Sequence, residues 1–280
     1  MRCRTDNRPT NRSAVGVLVP VLLAAACTGA PTAATPTATT SGTPPVASAA
    51  TTNPAPTSTS AAAVPRTIAP SYAPVINPAE FSTTVDNPYF PLVAGTRFIY
   101  EATTPDGRER NVVEVTADTK TVMAVSTRVV HDVVLVDGEP EEETFDWYAQ
   151  DTEGNVWYFG EATKALGGPT VDTSGSFEAG RDGALPGIVM PGHPMVGDHY
   201  RQEYYKGEAE DTGKVLSLTG NESTPFTGPR SALLVTEDVN PLDPAAAVEN
   251  KYYAEGVGLL VTVQVTGPAE RSELVAIEKF

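Results

Sequence analysis

From residue 87 to the C-terminus the chain alternates apolar and polar residues with a period of two, and Gly, Pro, Asn and Asp interrupt the alternation at short intervals. A period of two puts successive side chains on opposite faces of a strand, while a helix needs apolar residues three and four apart. No stretch sustains that helical spacing. Short turns between strands join antiparallel neighbours, since parallel pairs need long crossovers. The expected fold class is therefore all-β: a large curved antiparallel sheet, a half-barrel or a barrel, which hides the edges that so many strands would otherwise expose.

The alternation marks strands over Arg97–Ala102, Glu109–Thr116, Met123–Val136, Glu141–Gln150, Asn155–Gly160, Tyr200–Lys206, Lys214–Leu218, Ser231–Val239, Val248–Ala254, Leu259–Val265 and Glu273–Ile277. The most informative of these is the pair running from Phe145 to Phe159. Its aromatic runs flank Asp151-Thr152-Glu153-Gly154, the composition of a hairpin turn in which Gly154 supplies a positive φ. Pairing Gln150 with Asn155 sets Tyr148 opposite Trp157 and Trp147 opposite Tyr158. Large rings on both faces imply that the hairpin is covered on both sides, or that one face lines a cleft.

The second half echoes the first. Pro91-Leu92-Val93-Ala94-Gly95 resembles Pro194-Met195-Val196-Gly197, and Trp147-Tyr148-Ala149 resembles Tyr252-Tyr253-Ala254, each followed by a Gly turn and an apolar strand. Matching order and spacing suggest two duplicated β-meanders, over residues 88–165 and 190–270. The alternative is that β-proteins reuse turn residues.

The first quarter of the chain cannot join this core. Arg2, Arg4, Arg8 and Arg12 precede an apolar run from Ala14 to Leu23, which is too short and too interrupted by Pro20 to span a bilayer. This is the pattern of a secretory signal over residues 1–26. Residues 27–75 are rich in Ala, Thr, Pro and Ser, with no charge from Thr28 to Pro65. Such a stretch has too little apolar surface to offset the entropy of ordering and reads as a disordered tether, leaving residues 76–280 for the β-domain. The formal net charge is −16 and the leader is basic, so the remainder is more acidic still, which argues against nucleic acid or an anionic membrane surface as a direct partner. Of the two cysteines, Cys3 lies in the leader and Cys27 at its end. The mature domain therefore lacks a disulfide, a thiolate nucleophile and a thiolate metal site.

Leu23-Ala24-Ala25-Ala26-Cys27-Thr28-Gly29 resembles the lipobox of bacterial lipoproteins, with the usual leucine one place early. The resemblance implies that the Cys27 thiol is acylated and becomes the new N-terminus; ordinary signal-peptidase cleavage is the other reading. Three further segments resemble actinobacterial secreted lipoproteins: Asn87-Pro88-Tyr89-Phe90-Pro91-Leu92, the run from Asp146 to Glu161, and Pro186-Gly187-Ile188-Val189-Met190-Pro191 leading to Gly197-Asp198-His199-Tyr200-Arg201-Gln202-Glu203-Tyr204. That resemblance implies a location outside the cytoplasm, anchored to the cell membrane, and little about chemistry. A looser likeness, of architecture only, is to half-barrel lipid-carrier lipoproteins.

Individual constellations carry little chemistry. Asp151-Thr152-Glu153-Gly154-Asn155 places oxygen ligands at alternate positions, but a hairpin turn accounts for it better than a calcium loop. His131 and Asp132 are adjacent on a strand and so point to opposite faces. His193, Asp198 and His199 are close enough in sequence to share a metal, the basis of a rival reading as a metal-assisted hydrolase. The run of acidic residues from Glu139 to Glu143 reads as a solvated strand end. Phe177 to Pro194, rich in Gly and Pro, is expected as an irregular segment that lids an apolar pocket or plugs the barrel end.

The expectation is thus a lipid-anchored binding module for an apolar or amphipathic molecule or an envelope partner protein, with Tyr148, Trp157, Ile188 and Met190 as ligand-binding candidates. No catalytic residue, metal ligand or cofactor is assigned. A purely structural envelope protein is the third reading.

Overall fold

The computed structural model describes residues 65–69, 71–243, 248–267 and 270–280. The leader over residues 1–26, the acylation candidate Cys27 and the linker to residue 64 lie outside the described residues. After a single 3-10 turn at Pro78–Glu80, the described chain forms fifteen strands: β1 (Phe81–Ser82), β2 (Thr96–Thr104), β3 (Gly107–Val122), β4 (Val125–Val136), β5 (Glu139–Asp151), β6 (Val156–Ala165), β7 (Phe177–Glu178), β8 (Leu185–Met190), β9 (His199–Arg201), β10 (Glu203–Tyr204), β11 (Thr212–Thr224), β12 (Gly228–Val239), β13 (Glu249–Ala254), β14 (Gly258–Gln264) and β15 (Arg271–Lys279).

All of them belong to one antiparallel sheet ordered β10-β8-β6-β5-β4-β3-β2-β15-β14-β13-β12-β11-β9, with β1 added to β5 and β7 to β6. The two ends of this order, β10 and β9, are joined in the chain through the single residue Gln202. The sheet is therefore nearly closed into a barrel, and the chain itself forms the seam. At the seam β8 pairs β10 through Pro186↔Glu203, and β9 pairs β11 through Tyr200↔Gly213. The ideal Cβ position of Gly187 lies 2.2 Å from the Gln202 carbonyl carbon and oxygen, so only glycine fits there.

Three expectations are corrected. Phe177 to Pro194 is not an irregular lid: β7 and β8 extend the sheet from β6, in register Gly160↔Glu178 and Trp157↔Ile188. Met123 does not begin a strand. It and Ala124 form a two-residue turn, φ 49° and 62°, between Val122 and Val125. No Gly or Asn announces that turn; Met123 and the flanking valines pack into an apolar cluster, and this tertiary contact fixes it. Third, the hairpin register is shifted by one residue: Gln150 pairs Val156, Ala149 pairs Trp157 and Tyr148 pairs Tyr158. Asp151 and Asn155 close the turn, and Gly154 has φ 82°.

The hairpin is buried on both faces. Tyr148 and Tyr158 join the main core inside the barrel, with Phe98, Tyr100, Phe177, Met190, Tyr200, Leu234 and Leu274. Trp147, Ala149, Phe159 and Trp157 face outward into a second cluster, covered by Ile76, Phe81 and Ala179. The glycine turns matched between the two halves are built alike: Gly95 and Gly197 both have positive φ, and each donates its N–H to a β-strand carbonyl, of Val115 and Val215 respectively. Arg66 and Tyr72, counted with the linker, are bonded to the barrel. Arg66 N–H donates to Asp198 Oδ1 at 2.6 Å, and Tyr72 OH to the Pro186 carbonyl at 2.8 Å.

Candidate functional site

The inward face of the sheet carries a belt of polar and charged side chains. Register alone brings it together. Asp146 faces Glu161 across β5 and β6, and Asp132 faces Thr144, which faces Thr163. On the other wall Ser272, Thr262, Lys251 and Thr236 are successive cross-strand partners, and Asp238 faces Glu249. Asp132, Asp146, Glu161, Glu203, Asp211, Asp238 and Lys251 are all buried, against an ordinary expectation that carboxylates stay in water.

The β6 wall depends on a bulge. Asp146 pairs Glu161 and Tyr148 pairs Tyr158, so Phe159 and Gly160 together oppose the single residue Trp147. Gly160 takes φ 126° there, and its ideal Cβ would lie 2.2 Å from the Phe177 carbonyl oxygen. The extra residue flips the parity of the strand, so Tyr158 and Glu161, three apart, both point inward. Tyr158 OH then lies 2.7 Å from Asp146 Oδ1 and 2.8 Å from Glu161 Oε2. The ring of Tyr158 stacks on Tyr148 at 5.0 Å and meets Phe177 edge-on, and Tyr148 touches Phe90. An aromatic layer thus lies against the carboxylates.

Opposite, Lys251 is the belt's buried cation. Burial alone would push its pKa down, but Asp238 at 2.9 Å and Glu249 at 3.6 Å outweigh this and hold the ammonium charged. Asp238 also accepts from Gln202 Nε2 at 2.9 Å and Thr236 Oγ1 at 2.8 Å. Elsewhere the belt is short of donors. Burial raises Asp146 to about 7, with Glu142 adding to the shift and Tyr158 opposing it. Burial likewise raises Glu203 to about 8, tempered by the Asp211 amide and Lys251. Glu161, Asp132 and Asp211 are pushed well up by burial and then by one another's neighbours, Asp146 for the first two and Glu203 for the third. Neither oxygen of Glu203 has a hydrogen-bond partner of normal geometry, nor do Asp146 Oδ2, Asp211 Oδ1, Gln202 Oε1, Tyr148 OH or Tyr200 OH.

The structure separates the four ligand-binding candidates. Tyr148 and Met190 are fully buried in the main core and Ile188 packs half-buried against it, whereas Trp157 lies in the outer cluster with its ring N–H donating to Asp151 Oδ2 at 2.7 Å. Asp151 also accepts from the Glu153 and Asn155 amides and from Asn155 Nδ2, so its oxygens serve the turn. Asp198 is buried and accepts from the Arg66 and Met195 amides, while His193 and His199 are exposed. Among the described residues no three His, Cys, Asp or Glu side chains are placed to hold a metal ion. His131 stacks on Phe145 outside the barrel and bonds Glu143 at 3.2 Å, while Asp132 points inside. Within the acidic run, Glu143 pairs outward with His131 and Lys164, whereas Glu142 is half-buried and its carboxyl is raised by burial.

Sequence reasoning missed the belt. A signal existed at two places: Asp146 stands between Phe145 and Trp147, and Lys251 shares the parity of Tyr253.

No protein-family model matches this chain, and no curated protein matches it. Among solved structures it is similar to an exported protein with a YmcC-like fold from Bacteroides fragilis, at 15% identity and TM-score 0.39 over 68% of this chain and 99% of that one. It is also similar to a lipoprotein from Parabacteroides distasonis, at 12% identity and TM-score 0.35 over 68% of this chain and 98% of that one. Similarity at this level assigns no function. Among the described residues no helix is long and apolar enough to cross a membrane.

Proposed function

We propose that this chain is an extracytoplasmic binding module, held at the membrane by an acyl group on Cys27, whose barrel takes a small amphipathic molecule with a cationic head. The observation that carries this reading is Glu203: it is 1% exposed, and neither of its oxygens has a hydrogen-bond partner of normal geometry, the Asp211 amide only tempering its charge. Buried acceptors are costly unless a donor meets them. In the belt the unpaired atoms that can only accept are Asp146 Oδ2, Gln202 Oε1, Asp211 Oδ1 and both oxygens of Glu203. They stand beside the unpaired hydroxyls of Tyr148, Tyr200, Thr262 and Ser272, which supply donors but no positive charge, and Lys251 is engaged by Asp238 and Glu249. An alkylammonium supplies three N–H donors and a positive charge together. The aromatic layer of Phe90, Tyr148, Tyr158 and Phe177 beside the carboxylates supplies the surface for an apolar tail. The acidic belt disfavours a fatty acid, whose head would add another buried anion.

Calorimetry of the full chain with dodecylammonium and with dodecanoate tests the reading. It predicts saturable one-to-one binding of dodecylammonium, weakened at least tenfold by Glu203→Gln, and no binding of dodecanoate. Equal binding of the two, or none of dodecylammonium, overturns it.

A further inference from the structure

The bridge between Asp146, Tyr158 and Glu161 has a hydrogen count that does not balance with both carboxyls ionised. Tyr158 OH is within hydrogen-bond distance of Asp146 Oδ1 and Glu161 Oε2, at 2.7 and 2.8 Å. A phenol has one hydrogen to donate, and an ionised carboxylate has none. Two short contacts to one hydroxyl therefore require that one of the carboxyls bring its own hydrogen. A second observation points the same way: Asp146 Oδ2 is buried without a hydrogen-bond partner, so no further donor there offsets the charge of a second anion.

We propose that Asp146, Tyr158 and Glu161 form a proton-binding site that at neutral pH holds one carboxyl as the neutral acid. That acid donates to the tyrosine oxygen while the tyrosine donates to the other carboxylate. When the proton leaves for solvent, two anions face each other across β5 and β6, and only one of them can still be bonded by Tyr158. Glu161 is the favoured holder, because burial first, and then Asp146 and Glu203, push its carboxyl well up. The groups that face the bridge are Glu142 on its own strand β5, Tyr148 beside Tyr158, Asp132 on β4 and Glu203 on β10. None of them is a cation. Lys251 on β13 acts on Glu203 and Asp211 and is bound to Asp238. The charge that stabilises a second anion is thus missing on every side.

The site does not depend on the amine reading, since it follows from the bridge alone. Infrared spectroscopy and carboxyl-carbon NMR of the full chain test it directly. At neutral pH the native chain should show a buried carboxylic-acid signal that persists well above the ordinary carboxylate range. Glu161→Gln, whose amide can donate to Tyr158 as the acid does, should remove that one signal and keep the barrel folded. Tyr158→Phe should leave a protonated carboxyl but shift its frequency, because the acid loses its acceptor. If Glu161→Gln does not fold, the titration of the native chain still decides. Asp146 and Glu161 both titrating as ordinary carboxylates overturn the proposal, whatever acid signal Glu203, itself raised by burial, keeps at neutral pH.

Discussion

Asp151 gathers four donors around the tip of the central hairpin: two backbone amides, the Asn155 amide group and the Trp157 indole. Each is a charge-assisted bond to a carboxylate, stronger than a neutral one. Asp151→Ala leaves all four donors, the indole, the two backbone amides and the Asn155 side-chain amide, without their acceptor, and should cost about 3 kcal/mol in denaturant unfolding of the full chain. A loss below about 1 kcal/mol would mean that solvent already replaces these bonds. The turn itself was legible, because Asp, Gly and Asn in that order are turn chemistry. Glu161 was not legible, because its inward direction depends on the bulge at Gly160, and a strict period of two places it on the same face as Phe159, outside.

At the scale of strands, the alternation located most of the sheet from residue 96 onward and failed where other forces decided. β8 reads as a loop because Pro186 and Gly187 are poor strand formers. Yet both sit at the seam, where Pro186 pairs Glu203 and the absence of a side chain on Gly187 lets β10 approach. Gly187→Ala forces a methyl into the backbone of Gln202. It should destabilise the full chain by about 3 kcal/mol. Hydrogen exchange should localise the loss of protection to β8 and β10, with β2 to β5 unaffected. Uniform loss would mean that the seam is not a separate unit. Outward positions were easier to read, since they carry ordinary cross-strand ion pairs such as Arg97 with Glu114 and Arg110 with Glu101.

For the whole molecule the governing feature is a barrel lined at one level by rings and at another by acids. Carboxyls raised by burial bind protons more tightly in the folded chain than in the unfolded one. Between their ordinary values near 4 and the folded values of about 7 for Asp146 and about 8 for Glu203, the native state holds more protons, so stability falls as pH rises. Glu143 and Asp172 are shifted down and act the other way, but both lie at the surface and contribute little. The most direct measurement is the unfolding free energy of the full chain as a function of pH, in about 0.5 M salt so that repulsion among surface charges is screened. The acidic belt predicts greatest stability near pH 4 to 5 and a decline of several kcal/mol by about pH 8. Stability that instead climbs from about pH 4 to a maximum near neutrality, as for a protein whose carboxylates are paired and exposed, would contradict it.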